Sequence, residues 1–332
     1  MRWIPFPDKQ FKVYGLPWFQ ETTPSLVRLP ARMKKLFRES LWLCGQFPTG
    51  GRIRFATDST FIGINAETPP HSSHHMPRTG HSGFDVYVEK RFAFSAWPDP
   101  EGKILFERKI AVEKKVRPIE IYLPIYNSAT LHAIGLDKGA SIFLPPPYRI
   151  KNPVVFYGTS VTQGGCSSNP GTTWQGFLSR GLDIDFVNLG FSGQGWGDVE
   201  IGDILGETPA SCIVLDYWGN VVYNPLGTKG SVAPLVGRIR KVHSKIPIIL
   251  TGPYFFPLDF FNNDHDIMRK EFQQAVRRLR ANGDTHLHFF DSRRMIGPEE
   301  TCATVDGAHA TSLGFYLMAK AFAPLLKKVL SL

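Results

Sequence analysis

Cysteine is scarce in this chain, with four in 332 residues. Cys44, Cys166, Cys212 and Cys302 lie far apart and form no CxxC pair. That excludes a disulfide framework and a zinc-finger type of site, and it fits a reducing compartment. There is no apolar run long enough for a transmembrane helix, so no membrane partner is expected. The opening Met1-Arg-Trp-Ile-Pro-Phe-Pro lacks the apolar core and small-residue cleavage site of a signal peptide. A cytoplasmic location is the expectation, a leader already removed being the alternative. The phosphate-cradling patterns GxxxxGKS/T and GxGxxG are missing too, which argues against a nucleotide cofactor.

Positive charge is in excess: 38 Lys and Arg against 29 Asp and Glu, a formal +9. The cations are nevertheless scattered. Arg28, Arg32, Lys34, Lys35 and Arg38 lie early, Arg238, Arg240 and Lys241 later, and Arg277, Arg278 and Arg280 later still. The last two groups fall on amphipathic helical patterns and read as solvated faces. No nucleic-acid partner is expected from such dispersion. The apolar content of 42% is that of a chain that folds.

The pattern changes near residue 150. Before it, short alternating segments recur between turn signals: 52–55, 60–64, 84–88, 104–107, 119–122 and 141–144. Period-two segments at this spacing predict an antiparallel β-sandwich. Pro145-Pro146-Pro147 cannot continue a strand ladder and marks a stiff boundary. After it, apolar runs at Pro153–Tyr157, Ile184–Leu189, Cys212–Tyr217, Ile246–Leu250 and His286–Phe290 alternate with helical patterns near 171–182, 198–206, 232–244, 264–282 and 312–330. That alternation predicts an α/β three-layer sandwich on a five-stranded parallel sheet. The expected organisation is therefore an accessory domain over 1–148 and an α/β domain over 149–332.

Ligands of parallel sheets gather beyond the carboxyl ends of the strands. The first strand runs into Gly158-Thr159-Ser160-Val161-Thr162-Gln163-Gly164, the second into Asn188-Leu189-Gly190-Phe191-Ser192-Gly193, and the third into Asp216-Tyr217-Trp218-Gly219-Asn220. Asp306-Gly307-Ala308-His309 precedes the last helix. Singly, Ser160 reads as a cap, Gly193 as a turn, Asn220 as a cap and His309 as a helix-start histidine. Together they fall where one sheet edge can collect them.

These four blocks, in this order, resemble those of the SGNH or GDSL-type hydrolases, and the resemblance covers 150–332. One departure is Thr159, where many members carry Asp before the serine. Upstream, Gly83-Phe84-Asp85-Val86-Tyr87 resembles the Gly-x-Asp-Leu-Tyr segment of a domain found ahead of some bacterial SGNH domains, with Val in place of Leu. The resemblance implies a flavodoxin-like catalytic half that follows the β-sandwich.

It also implies a division of labour for acyl transfer. Serine needs a base to act as a nucleophile at neutral pH. Ser160 is the expected nucleophile and His309 the base. Asp306, three residues earlier, would fix the imidazole tautomer. The backbone N–H groups of Ser160 and Gly193 and the amide of Asn220 would form the oxyanion hole. Trp196 and Trp218 are candidate substrate-binding residues, with packing as the competing reading. Cys166, six residues past Ser160 and without a base at recognisable spacing, reads as a packing thiol. Tyr157 reads as buried support.

The stretch 69–81 holds His71, His74, His75 and His81, four of the ten histidines. It contains no Cys, Asp or Glu, so a solvated loop is favoured over a metal site, and no metal or cofactor is expected. A further reading lets this loop reach the catalytic face, with Arg78 or a histidine touching substrate. The expected activity is ester hydrolysis on a small-molecule or oligosaccharide acyl ester, in the manner of a carbohydrate O-deacylase or acetylesterase. An acyltransferase with the same machinery and a non-catalytic carbohydrate-binding protein are the alternatives. Self-association is left open.

Overall fold

The computed structural model describes all 332 residues. Its C-terminal half is built on five parallel strands: Val154–Gly158, Phe186–Gly190, Cys212–Asp216, Ile248–Thr251 and Leu287–Phe290. Every residue of the first three is buried. This is why they read as continuous apolar runs rather than as alternation: helices cover both faces. The strands lie side by side in the order second, first, third, fourth, fifth. This is the flavodoxin-like order, with its switch point at the first strand.

Helices Trp174–Leu182 and Ser312–Leu330 pack together on one face, and Ile201–Glu207, Gly227–Arg240 and Asp264–Ala281 on the other. Two boundaries move from expectation. Pro170–Thr172 forms a separate 3-10 turn, and the helix starts at Trp174 because Thr173 caps it through Gly176 N–H. The helix expected over 232–244 spans Gly227–Arg240 instead, its glycine-rich start hiding it in the sequence.

The N-terminal half holds two antiparallel sheets. One orders Arg2–Pro5, Thr130–Leu136, Phe61–Glu67 and Lys103–Lys109. The other orders Ile142–Phe143, Arg52–Thr57, Arg117–Tyr122, Phe84–Val88 and Arg91–Ala96, with Lys12–Tyr14 paired to Arg52–Thr57. Inward residues of both, such as Ile62, Ile64 and Ile134 from one and Phe55, Val86 and Ile121 from the other, share one apolar core. The alternation pattern missed four of these strands: Arg2–Pro5, Lys12–Tyr14, Arg91–Ala96 and Thr130–Leu136. Arg91–Ala96 exposes its first three residues whatever their polarity, so no alternation marks it.

The halves are locked together. Trp18, Leu29, Met33, Leu41 and Trp42 belong to the same apolar cluster as the parallel sheet. Arg28, wholly buried, donates to the carbonyls of Phe47 and Cys44 on its own side and of Asn188 and Gly190 on the other. Burial lowers its pKa to about 10. Arg52, also buried, pairs with Asp185 and lies 3.8 Å over the Phe186 ring. No helix is long and apolar enough to cross a membrane.

Candidate active site

The chain leaves the first parallel strand at Gly158 and turns at once into a short helix, Ser160–Gln163. Thr159, the departure from the usual aspartate, caps it by accepting Val161 N–H. Ser160 therefore heads a helix at the sheet's carboxyl edge, where its own N–H has no intrahelical partner. Neither Ser160 N–H nor Gly193 N–H donates to a protein group.

His309 arrives from the far end of the sequence. The loop around it closes on itself through a bridge between Thr304 and Ala310 and a bond from Val305 N–H to the His309 carbonyl. Asp306 Oδ1 accepts the N–H groups of Ala308 and His309, and its Oδ2 lies 2.8 Å from His309 Nδ1. His309 Nε2 lies 2.9 Å from Ser160 Oγ. With the Nδ1 proton held by the carboxylate, Nε2 is left to accept the Ser160 hydroxyl proton. Burial pushes the Asp306 pKa up, but the bonds from the His309 N–H, the His309 ring and Ala308 N–H outweigh it and bring the value down to about 2. Asp306 is thus an anion throughout the neutral range.

The remaining blocks pack against the serine turn. Gly193 sits in an exposed turn with φ +69°, a conformation that favours glycine. Gly195 lies so close to the first strand that a Cβ would come 2.3 Å from the Gly158 carbonyl oxygen. Gln163 Oε1 accepts Ser192 N–H, which holds the Gly193 turn against the serine helix. Asn220 lies on the 3-10 turn Trp218–Tyr223 beyond the third strand. Its Nδ2 donates to the adjacent Gly219 carbonyl, and its Oδ1 has no partner. Gly219 itself borders the Thr159 side chain.

Asp216 joins two of these blocks, a role the sequence reading missed. It is buried at the end of the third strand, where its carboxylate accepts Thr162 from the serine helix, Thr251, and the indole N–H of Trp218. Burial raises its pKa to about 6 against the effect of these bonds.

Trp218 is consequently not a substrate-binding residue. It is buried and packs edge-on against Tyr254, Phe256 and His265 beneath the site. Arg78, the other candidate substrate contact, is half-buried, and its guanidinium donates to the Pro98 carbonyl of the β-sandwich. Trp196 stays at the rim, but its indole N–H donates to the Gly193 carbonyl and Arg38 covers its ring at 3.5 Å. Its first task is to brace the Gly193 turn. Tyr157 is buried and accepts Gly197 N–H, as expected of a support.

Two contributions come from the N-terminal half. Tyr126 donates its hydroxyl to the Ser160 carbonyl, and the neighbouring Ile125 carbonyl accepts Gln163 Nε2. His75, from the histidine-rich loop, comes within 6.0 Å of His309, centroid to centroid. Cys166, buried, lies beside both histidines: ligand atoms of the three fall within 4.8 Å of one another. Its neighbour is thus His309 itself, which sequence spacing could not reveal. Burial, together with the Asp306 charge, raises its thiol to about 11, so it is no thiolate nucleophile.

Large apolar side chains are exposed on the loops beyond the third and fourth strands: Val222, Tyr223 and Leu226 after Asn220, and Leu258, Phe260 and Phe261. Pro257 of the second loop packs near Gly307, next to Asp306.

A parallel sheet of this order, carrying hydroxyl, imidazole and carboxylate in line at its carboxyl edge, is the framework of an ester hydrolase. The chain belongs to the GDSL-like lipase/acylhydrolase family, which its residues 151–327 match, while residues 1–142 match the GxDLY N-terminus of SGNH-hydrolase-type esterases. Solved structures share the fold over the whole length. A GDSL-like protein from Bacteroides ovatus ATCC 8483 is 24% identical with a TM-score of 0.88, covering 99% of this chain and 98% of its own. The salicylyl-acyltransferase SsfX3 of a tetracycline biosynthetic pathway is 19% identical with a TM-score of 0.84, at 99% and 97% coverage. A family two carbohydrate esterase from Cellvibrio japonicus is 15% identical with a TM-score of 0.65, at 99% and 98% coverage. No curated protein matches the chain.

Proposed function

We propose that this ester hydrolase is a carbohydrate O-deacylase that works through an acyl-enzyme on Ser160. The observation that carries the reading is the unbroken line from Ser160 Oγ through His309 to Asp306, with gaps of 2.9 and 2.8 Å. Ser160 Oγ attacks the ester carbonyl while its proton passes to His309 Nε2, and Asp306 stabilises the imidazolium. The oxyanion of the tetrahedral intermediate is met by Ser160 N–H, Gly193 N–H and the Asn220 amide. On collapse, the carbon–oxygen bond to the sugar breaks and His309 returns the proton to the leaving hydroxyl. Water, deprotonated by the same imidazole, then attacks the acyl-serine, and a carboxylate leaves. The fold shared with family two carbohydrate esterases supports the choice of alcohol.

A screen of p-nitrophenyl esters from acetate to octanoate, followed by acetylated oligosaccharides, tests both parts. Release of acetate from the oligosaccharides is the expected result. Turnover of the aryl esters alone would remove the carbohydrate assignment and keep the esterase.

One observation favours a second reading. The exposed Val222, Tyr223, Leu226, Phe260 and Phe261 give the strand-end loops an apolar surface that an acetyl group does not need. An acyltransferase that carries a bulkier acyl group to an acceptor other than water would use it. The ratio of hydrolysis to transfer, measured with an acyl donor and candidate acceptors, separates the two.

A further inference from the structure

Beside the base His309 stand His75 and Cys166, two residues that the ester chemistry does not call for. Two imidazoles and a thiol are the donor set of zinc and related borderline cations, and three protein ligands leave a fourth position open. The three residues come from separate places: the 69–77 loop of the β-sandwich half, the turn after the serine helix, and the loop before the last helix. His309 already has the outer partner that metal-binding histidines usually have, because Asp306 accepts its Nδ1–H and leaves Nε2 as the lone-pair nitrogen. Tetrahedral ligands at zinc distances stand about 3.4 Å apart, so from within 4.8 Å the widest pair draws in by at most about 1.4 Å. Cys166 is buried and His309 is fixed by Asp306, so exposed His75 is the ligand that moves.

We propose that His75, Cys166 and His309 form an inhibitory site for a zinc-class divalent cation. Binding displaces the thiol proton of Cys166 to solvent as the metal–sulfur bond forms, while both histidines enter as neutral imidazoles. The Nε2 lone pair that faces Ser160 is then committed to the metal, and the serine has no base. Access to the ester site thereby depends on metal availability, with the β-sandwich half supplying one ligand of the switch. The inhibitory consequence rests on His309 acting as the base; the binding does not.

Two measurements test this. Cobalt(II) titrated into the Ser160→Ala variant should give a thiolate-to-metal absorption band that is lost on adding Cys166→Ala. This reads the site without turnover, so its failure is distinct from a failure of the esterase reading. With the parent enzyme, Zn2+ should abolish p-nitrophenyl ester hydrolysis and a chelator should restore it. His75→Ala and Cys166→Ala should each raise the Zn2+ concentration for half inhibition about tenfold or more, read against that variant's own metal-free rate. His75 is exposed, so its variant stays informative if Cys166→Ala misfolds. A missing cobalt band, or variants inhibited at the parent's Zn2+ concentration, would overturn the proposal.

Discussion

Asp85, buried in the second antiparallel sheet, accepts the backbone N–H of Gly171 across the boundary between the halves, at 2.8 Å. Ser95 and the Asn169 amide also donate to this carboxylate. The Tyr87 ring lies against Gly171 and under Arg180, whose guanidinium is 4.1 Å above it. The pentapeptide at 83–87 is thus a latch on the segment that leads into helix Trp174–Leu182.

Asp85→Ala should leave three donors without their acceptor and destabilise the chain by about 1–3 kcal/mol. Thermal unfolding reads this directly. Burial raises the Asp85 pKa to about 6 in the folded state, above the ordinary value of 3.8, although its hydrogen bonds oppose the rise. The folded state therefore binds this proton more tightly than the unfolded one. The resulting stability is full below the ordinary value and is lost as pH rises through about 6. The variant should lack that slope; an identical pH dependence of melting in both proteins would refute the assignment.

Ser160→Ala should lower kcat by roughly 10^4-fold or more, as loss of a nucleophile does elsewhere, with melting unchanged. A fluorophosphonate probe should label the parent and not the variant. Turnover retained in the variant would place the nucleophile elsewhere.

Asn220→Ala should cost roughly 10^2-fold to 10^3-fold in kcat with little change in KM, the signature of a donor used in the transition state. A rise in KM with kcat intact would make Asn220 a substrate contact instead.

Asp306→Asn should reduce kcat by about 10^4-fold by spoiling the imidazole tautomer. In the parent, Asp306 has its pKa lowered to about 2, so its contribution is present above the ordinary carboxylate range and is lost only as pH falls through about 2. The acid limb of the pH–rate profile should then carry no ionisation at the ordinary carboxylate value of 3.8. A step there would contradict the geometry of this loop.

Tyr126→Phe removes the hydroxyl that donates to the Ser160 carbonyl. A loss of about 1 kcal/mol in stability is expected from one hydrogen bond. A fall in kcat at constant KM would mark Tyr126 as a positioning residue for the serine turn, whereas a stability loss alone would mark it as packing.

Much of the α/β half is legible in the sequence because its strands are buried on both faces and stand out as apolar runs. The site residues fall at the ends of those runs for the same reason. What escapes is direction and distance. Trp218 follows a strand as a pocket residue would, yet its indole turns inward to Asp216, and nothing in a linear pattern records that. Arg238 and Arg240 read as a solvated face; Arg238 does pair with Asp203 in solvent, but Arg240 is largely buried against Asp284. Tyr126 and His75 reach the site only because the halves dock. Their signal lies in the interface rather than in any spacing.

Arg28 carries the last consequence. Its guanidinium spends its donors on carbonyls that flank the glycine-bearing strand end, including Gly190. An α/β half inherited without its N-terminal partner would keep those carbonyls and lose the cation that satisfies them. Water or another donor would have to take its place, so the order of this strand end depends on a residue that the α/β half does not itself contain.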